Sequence, residues 1–207
     1  MAGSNAAGST AERILDAALH AFGTVGYEAI SLDALAAELG IRKQTILYHF
    51  SSKEHLLDAV IDEAGAELIA AVDGGLDGVA SGWARVEAVV RSVFRLAVRR
   101  PELPGLLREV SRLGAPAATR LRERLEPFVE AATAFFDREV DAGNMRRQDS
   151  QLLLLTAYSA VIGAATEVEV LRALGVEPTA RTLVRRRREL LELLSSALLQ
   201  VPGAGGG

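Results

Sequence analysis

The 207-residue sequence contains no cysteine. That excludes disulfides, thiolate nucleophiles and cysteine-ligated zinc, and it suits a reducing compartment. Histidine is nearly as scarce. His20, His49 and His55 all lie in the N-terminal part, so nothing downstream can build a histidine metal site. Asp and Glu nowhere take the clustered spacing of a carboxylate cation site. There is no Gly-x-Ser-x-Gly elbow and no phosphate-cradling glycine loop. No metal, cofactor or enzymatic chemistry is therefore expected. Lysine occurs only at Lys43 and Lys53, and arginine supplies every other fixed cation. The N-terminal MAGSNAAGS lacks the charged start and apolar run of a secretory signal. Ser150–Thr166 carries no charge but falls short of the ~20 apolar residues of a membrane span, and it includes Gln151, Thr156 and Ser159. A buried helix and a cytoplasmic location are expected.

What is present favours helices. The chain is 49% hydrophobic and rich in Ala and Leu, while aromatics make up only 5%. The formal charge of −4 does not by itself point to nucleic acid. Even the first sixty residues are net acidic, with Arg13, Arg42, Lys43 and Lys53 set against Glu12, Asp16, Glu28, Asp33, Glu38, Glu54 and Asp58. Placement matters more than the total: three of those four cations fall between positions 42 and 53.

That stretch is the most informative in the chain. Leu32, Leu35, Ala36 and Leu39 recur at helical steps, behind Ser31 as N-cap and with Asp33 in the first turn, where the helix dipole favours an anion. Gly40 supplies the stop. Ile46 and Phe50, four apart, turn the next short helix inward, which leaves Arg42, Lys43, Gln44, Thr45, Tyr48 and His49 outward or at the edge. Cations, amides and hydroxyls on such a second helix are what major-groove reading requires. A solvated polar face is the plain alternative.

Residues 10–57 resemble the DNA-binding domain of the TetR family of bacterial transcriptional regulators. The resemblance is carried by Leu35-Ala36-Ala37-Glu38-Leu39-Gly40-Ile41, then Thr45-Ile46-Leu47-Tyr48-His49-Phe50, then Ser52-Lys53-Glu54-His55-Leu56-Leu57. Arg42 stands where many members carry a capping Ser, and Leu47 where many carry Tyr. DNA contact is expected from Ser31, Arg42, Lys43, Gln44, Thr45, Leu47, Tyr48, His49 and Lys53. Arg42 or Lys43 suits guanine, Gln44 adenine and Leu47 a thymine methyl, while Tyr48, His49 and Lys53 suit phosphates.

Elsewhere the chain reads as an all-α protein of about nine helices. Residues 1–8 and the Gly-rich tail 201–207 are expected to be disordered. Residues 9–57 form the helix-turn-helix domain, starting with a Ser9–Glu12 capping box. A fourth helix, with capping-box spacing at Ser51 and Glu54, continues to about residue 72 as a connector. Glycines between Asp73 and Gly82 mark a boundary. Pro101 and Pro104 bracket a break before a short helix from Gly105, and Pro127 predicts a kink or break in a long one. The stretch from Asp149 to about Leu174 reads as one helix, and Pro178 opens the last.

The resemblance implies that residues 73–200 bind a small-molecule effector and form a homodimer through the last two long helices, where Ala157, Ala160, Gly163 and Ala164 allow close approach. Phe94, Leu107, Arg108, Phe128, Phe135 and Tyr158 are the candidates for the ligand cavity, and ordinary core is the simpler role for the aromatics. The function implied is a repressor that binds a near-palindromic double-stranded operator and leaves it when an effector binds. The alternative is a helical small-molecule-binding or interaction protein without sequence-specific DNA binding.

Overall fold

The computed structural model describes residues 9–79, 82–166, 168–177 and 179–199, with backbone alone for 164–166 and 168–170. The expected disordered ends and the opening role of Pro178 lie outside the described residues. Among the described residues there are ten helices and no strand, only an isolated bridge between Met145 and Leu199. The helices are α1 (Thr10–Thr24), α2 (Leu32–Leu39), α3 (Lys43–His49), α4 (Lys53–Leu76), α5 (Trp83–Arg99), α6 (Glu102–Leu113), α7 (Ala117–Asp141), α8 (Ser150–Thr166), α9 (Val168–Ala173) and α10 (Ala180–Leu198). The stretch read as one helix after Asp149 holds both α8 and α9.

The chain forms two compact units. The first takes in α1–α3, α4 as far as Glu67, α6, and α7 as far as Arg124. Its core is built from one face of each helix: Ile14, Ala18 and Phe22 of α1, Leu35 of α2, Ile46 of α3, Leu56, Val60 and Ile61 of α4, and Leu106 and Val110 of α6 are buried. α1 begins with the expected capping box, in which Ser9 Oγ accepts the Glu12 N–H while the Glu12 carboxylate accepts the Ser9 N–H. α6 packs against α1 through two glycines. A Cβ on Gly105 would stand 1.9 Å from the Gly23 carbonyl oxygen, and one on Gly23 would stand 2.2 Å from that of Glu102. The two backbones therefore meet directly. α6 also starts earlier than its prolines suggest. Pro104 sits in its first turn, where an N–H has no intrahelical partner to lose.

The second unit comprises Leu68 to Arg100 and the chain from Leu125 onward. α5, α8 and α10 pack together there, burying Val86, Val90 and Phe94 of α5, Val161 of α8, and Leu190, Leu191, Leu194 and Leu198 of α10. Each such side chain contributes roughly 1.5–3 kcal/mol by leaving water. α7 joins them through Phe136. Pro127 does not break α7, which runs continuously through it. The proline removes only the N–H that would bond to the Glu123 carbonyl, one bond in a helix of 25 residues.

α8 carries no charge, and its two faces differ in fate. Leu153, Leu154 and Ala160 pack on the core, while Leu152, Leu155 and Tyr158 are 62%, 60% and 43% exposed. Within the chain, Ala160 lies against the core and the Gly163 carbonyl accepts from Arg186 of α10 at 3.0 Å, while a Cβ on Gly163 would meet nothing within 4 Å. The run Arg185–Arg188 is partly neutralised along the helix, with Arg185–Glu189 and Arg188–Glu192 pairs at 3.7 and 3.6 Å.

Candidate nucleic-acid interface

The outward face of the first unit is set by its inward one. Ser31 caps α2, its hydroxyl accepting the Ala34 N–H at 3.1 Å. Gly40 closes the helix at φ 66°, a left-handed conformation that glycine adopts without a Cβ penalty, and the Ile41 N–H returns to the Ala36 carbonyl. This turn aims α3. Ile46 is fully buried and Phe50 nearly so, which anchors α3 along one line. Arg42, Gln44, Leu47 and Tyr48 are then exposed, Tyr48 by 85%. Lys43, Thr45 and His49 are half-buried at the edges. Arg42 occupies the N-cap of α3 in extended conformation and makes no side-chain capping bond, leaving its guanidinium outward. Tyr48 stands edge-on to His49, ring centres 5.2 Å apart.

Both lysines have partners within the unit. Lys43 Nζ lies 2.8 Å from Asp33 Oδ2 on α2. Lys53 Nζ donates to the Tyr27 carbonyl at 2.6 Å and sits 4.1 Å from the centre of the Tyr27 ring. Burial, and then the carboxylates of Glu54 and Asp58, raise the phenol above its ordinary pKa. The Glu54 carboxyl is held low, first by its own backbone N–H and next by Ser52. The start of α4 differs from the expected capping box by one residue. Ser52, not Ser51, caps it, accepting the His55 N–H at 3.1 Å, and the His55 ring accepts the N–H of Ser51, the residue before the cap, at 3.2 Å. Asp33 and Tyr27 are the two residues that sequence reasoning missed. Asp33 was legible only as a first-turn acid, because its partner lies on another helix.

Behind this face, Glu109 of α6 accepts the Tyr27 N–H at 2.7 Å and two bonds from Arg112, each 2.9 Å, and Arg112 also reaches Glu28 at 3.4 Å. Arg112 first, and then the Tyr27 N–H, hold the Glu109 carboxyl below its ordinary pKa. Glu109 and Arg112 thus brace α6 against the α1–α2 connection.

The candidate cavity residues are divided between the units. Leu107, half-buried, and Arg108, exposed, belong to the first. Phe94 is core of the second, Phe135 packs edge-to-face on Phe136 at 5.4 Å, Phe128 is half-buried and Tyr158 lies on the uncovered face of α8. The hollows described within each unit are lined by other residues. One of about 360 Å³ in the first unit is bordered by Tyr27, Glu54, Asp58 and the turn from Leu113 to Ala117, and a groove of about 360 Å³ in the second is bordered by Trp83, Arg91 and Arg188. Among the described residues no three metal-ligating side chains cluster, and no helix is long and apolar enough to cross a membrane.

Residues 14–60 match the family model of the bacterial regulatory proteins of the tetR family. No curated protein matches the chain by sequence. Solved structures similar to it include a TetR transcriptional regulator from Chloroflexus aurantiacus, 23% identical over 93% of this chain and 97% of that one, with a TM-score of 0.72. A transcriptional regulator from Saccharomonospora viridis in complex with choline is 18% identical over 92% and 98%, TM-score 0.74. The regulator FadR from Bacillus subtilis in complex with stearoyl-CoA is 19% identical over 89% and 97%, TM-score 0.74. At these identities the likeness is one of fold.

Proposed function

We propose that this chain, whose N-terminal helices are a TetR-family DNA-binding domain and whose fold is that of TetR-type transcriptional regulators, is a ligand-responsive repressor that binds a near-palindromic operator as a homodimer. The observation that carries the reading is the outward face of α3, where Arg42, Gln44, Leu47 and Tyr48 stand exposed on the buried anchors Ile46 and Phe50. Arg42, Lys43 and Gln44 read base edges, with Thr45 and Leu47 beside them. Ser31, Tyr48, His49 and Lys53 set register on phosphates, Lys53 with the two N–H groups that Tyr27 leaves it. Two copies place their α3 helices in successive major grooves, ~34–36 Å apart.

The second unit supplies the pairing and the control. Leu152, Leu155 and Tyr158 of α8 and Leu193 of α10 are uncovered in a single chain, and the same face of a second copy would cover them. A small molecule held by the second unit shifts the protein between DNA-competent and incompetent states by its differential affinity for the two. Similar regulators are crystallised with choline and with stearoyl-CoA, which supports an organic effector here without naming it. The reading assigns the chain no catalytic activity and a cytoplasmic place of work. A gel shift on duplex from upstream of its own gene tests it. A retarded band that Tyr48→Ala and Gln44→Ala weaken is expected. Binding that ignores both substitutions, or no binding to this or neighbouring intergenic DNA, would overturn it.

A further inference from the structure

We propose that Asp33 is a specificity-determining residue that holds Lys43 away from the DNA backbone until an operator base competes for it. The inference rests on the DNA-binding reading above and deepens it. Lys43 is the first residue of α3, and its ammonium lies 2.8 Å from the carboxylate of Asp33 in the first turn of α2. The two side chains are 40% and 69% exposed, so the pair forms at the protein surface rather than in the core. Asp33 is not needed as a cap, because Ser31 already accepts the Ala34 N–H.

The pair has a consequence for non-specific binding. Affinity for arbitrary DNA grows with the number of phosphates a protein neutralises, each contributing about 0.9 to the slope of log K against log salt. This face has few cations to spend: Arg42, Lys43 and Lys53 stand among Asp33, Glu38 and Glu54 in a chain of net charge −4. Lys53 gives one N–H to Tyr27, and Asp33 occupies Lys43. An exposed ion pair is weak enough to open when a better acceptor arrives. Guanine O6 and N7 offer two acceptors at one edge, deep in the groove α3 would enter. Scattered phosphates on the wrong sequence must compete with a carboxylate already in place. Asp33 therefore lowers affinity for arbitrary sequence more than for the operator, and acts through Lys43 as a positioning residue.

The test compares the full-length wild type with Asp33→Asn, Lys43→Ala and the double variant, by anisotropy of two labelled duplexes: one of random sequence, and one recovered from the random pool by rounds of selection on the wild type. Circular dichroism checks that each variant keeps its helices. Asp33→Asn is expected to tighten binding to the random duplex and steepen its salt slope by about 0.9, so that the gain shrinks roughly 3.5-fold between about 50 and about 200 mM salt. The recovered duplex should gain less, so the ratio of the two affinities falls. In the Lys43→Ala background, Asp33→Asn should leave the slope unchanged. An unchanged slope in the single variant overturns the proposal, as does an equal change in both backgrounds, which would make Asp33 only a bulk negative charge. If selection on the wild type enriches no duplex and the random duplex is not bound at low salt, the regulator reading fails first, and that outcome is distinct from the others.

Discussion

Gly105→Ala is the substitution whose outcome the structure specifies most sharply, because two effects of known size oppose each other. Alanine in a helix interior is favoured over glycine by up to about 1 kcal/mol. Against that, the new Cβ would lie 1.9 Å from the Gly23 carbonyl oxygen and 2.8 Å from its carbon. Both atoms are backbone, on the facing turn of α1, so no side chain can swing aside. Restoring an ordinary contact of 3.4 Å requires α1 and α6 to part by about 1.5 Å at this point. A gap of even 0.5–1 Å forfeits about a quarter to a half of each dispersion contact it opens. Overpacking of this kind costs about 1–3 kcal/mol, and a rigid backbone partner puts the cost at the upper end or above it. The net expectation is a loss of about 2 kcal/mol or more, a fall in Tm of at least about 4–8 °C for a chain of this length. Gly74→Ala is the matched control. It lies in α4 with nothing within 4 Å of its would-be Cβ, so only the propensity gain remains and Tm should rise by about 1–4 °C. Thermal unfolding followed by far-UV circular dichroism, at one fixed protein concentration, reads both. A Gly105→Ala protein as stable as the wild type would refute the backbone-to-backbone contact.

Three further outcomes follow from the same structure. The Glu109 carboxyl has its pKa lowered by Arg112 and the Tyr27 N–H, so its stabilisation is present above the unfolded value near 4.5 and is lost as pH falls through the lower folded value. The stability gap between wild type and Glu109→Gln should hold from about pH 7 to about pH 5 and narrow below about pH 4.5, as urea melts across that range would record. Lys53→Met removes the bond to the Tyr27 carbonyl and the contact with its ring, lowering stability by about 1–2 kcal/mol. The same variant should flatten the salt slope of DNA binding by about 0.9, and an unchanged slope would leave Lys53 a brace for α4 alone. Leu155→Glu puts a charge on the uncovered face of α8, twice in a two-fold dimer, and should yield monomers in analytical ultracentrifugation together with loss of operator affinity. An unchanged dimer mass would place the contact elsewhere.

Much of this was readable from local spacing. Ser9 with Glu12, Ser31 with Gly40, and Ile46 with Phe50 each specify a helix end or face within a few residues, and the structure realises all three. The misreadings are also local in origin. Ser51 and Glu54 have capping-box spacing, but His55 gives Ser52 an alternative partner. Pro101 and Pro104 look like breakers, yet Pro104 falls in a first turn where an N–H is dispensable, and the glycine after it is small because Gly23 lies against it. That second reason concerns a residue 82 positions away, and no periodicity encodes it. The Asp33–Lys43 pair escaped for the same reason, since it joins two helices across a turn. The proposed cavity residues had the weakest basis: aromatic side chains serve a core and a pocket equally well, and Phe94 is core.

The central claim is geometric: two copies hold their α3 helices one helical turn of duplex apart. Selection of bound sequences from a random duplex pool, followed by hydroxyl-radical footprinting of the winner, measures this spacing directly. An inverted repeat is expected, its half-sites centred about one turn apart, ~34–36 Å, both protected and bound by a dimer. A single unrepeated motif occupied by one chain, or a pool that never enriches, would contradict it.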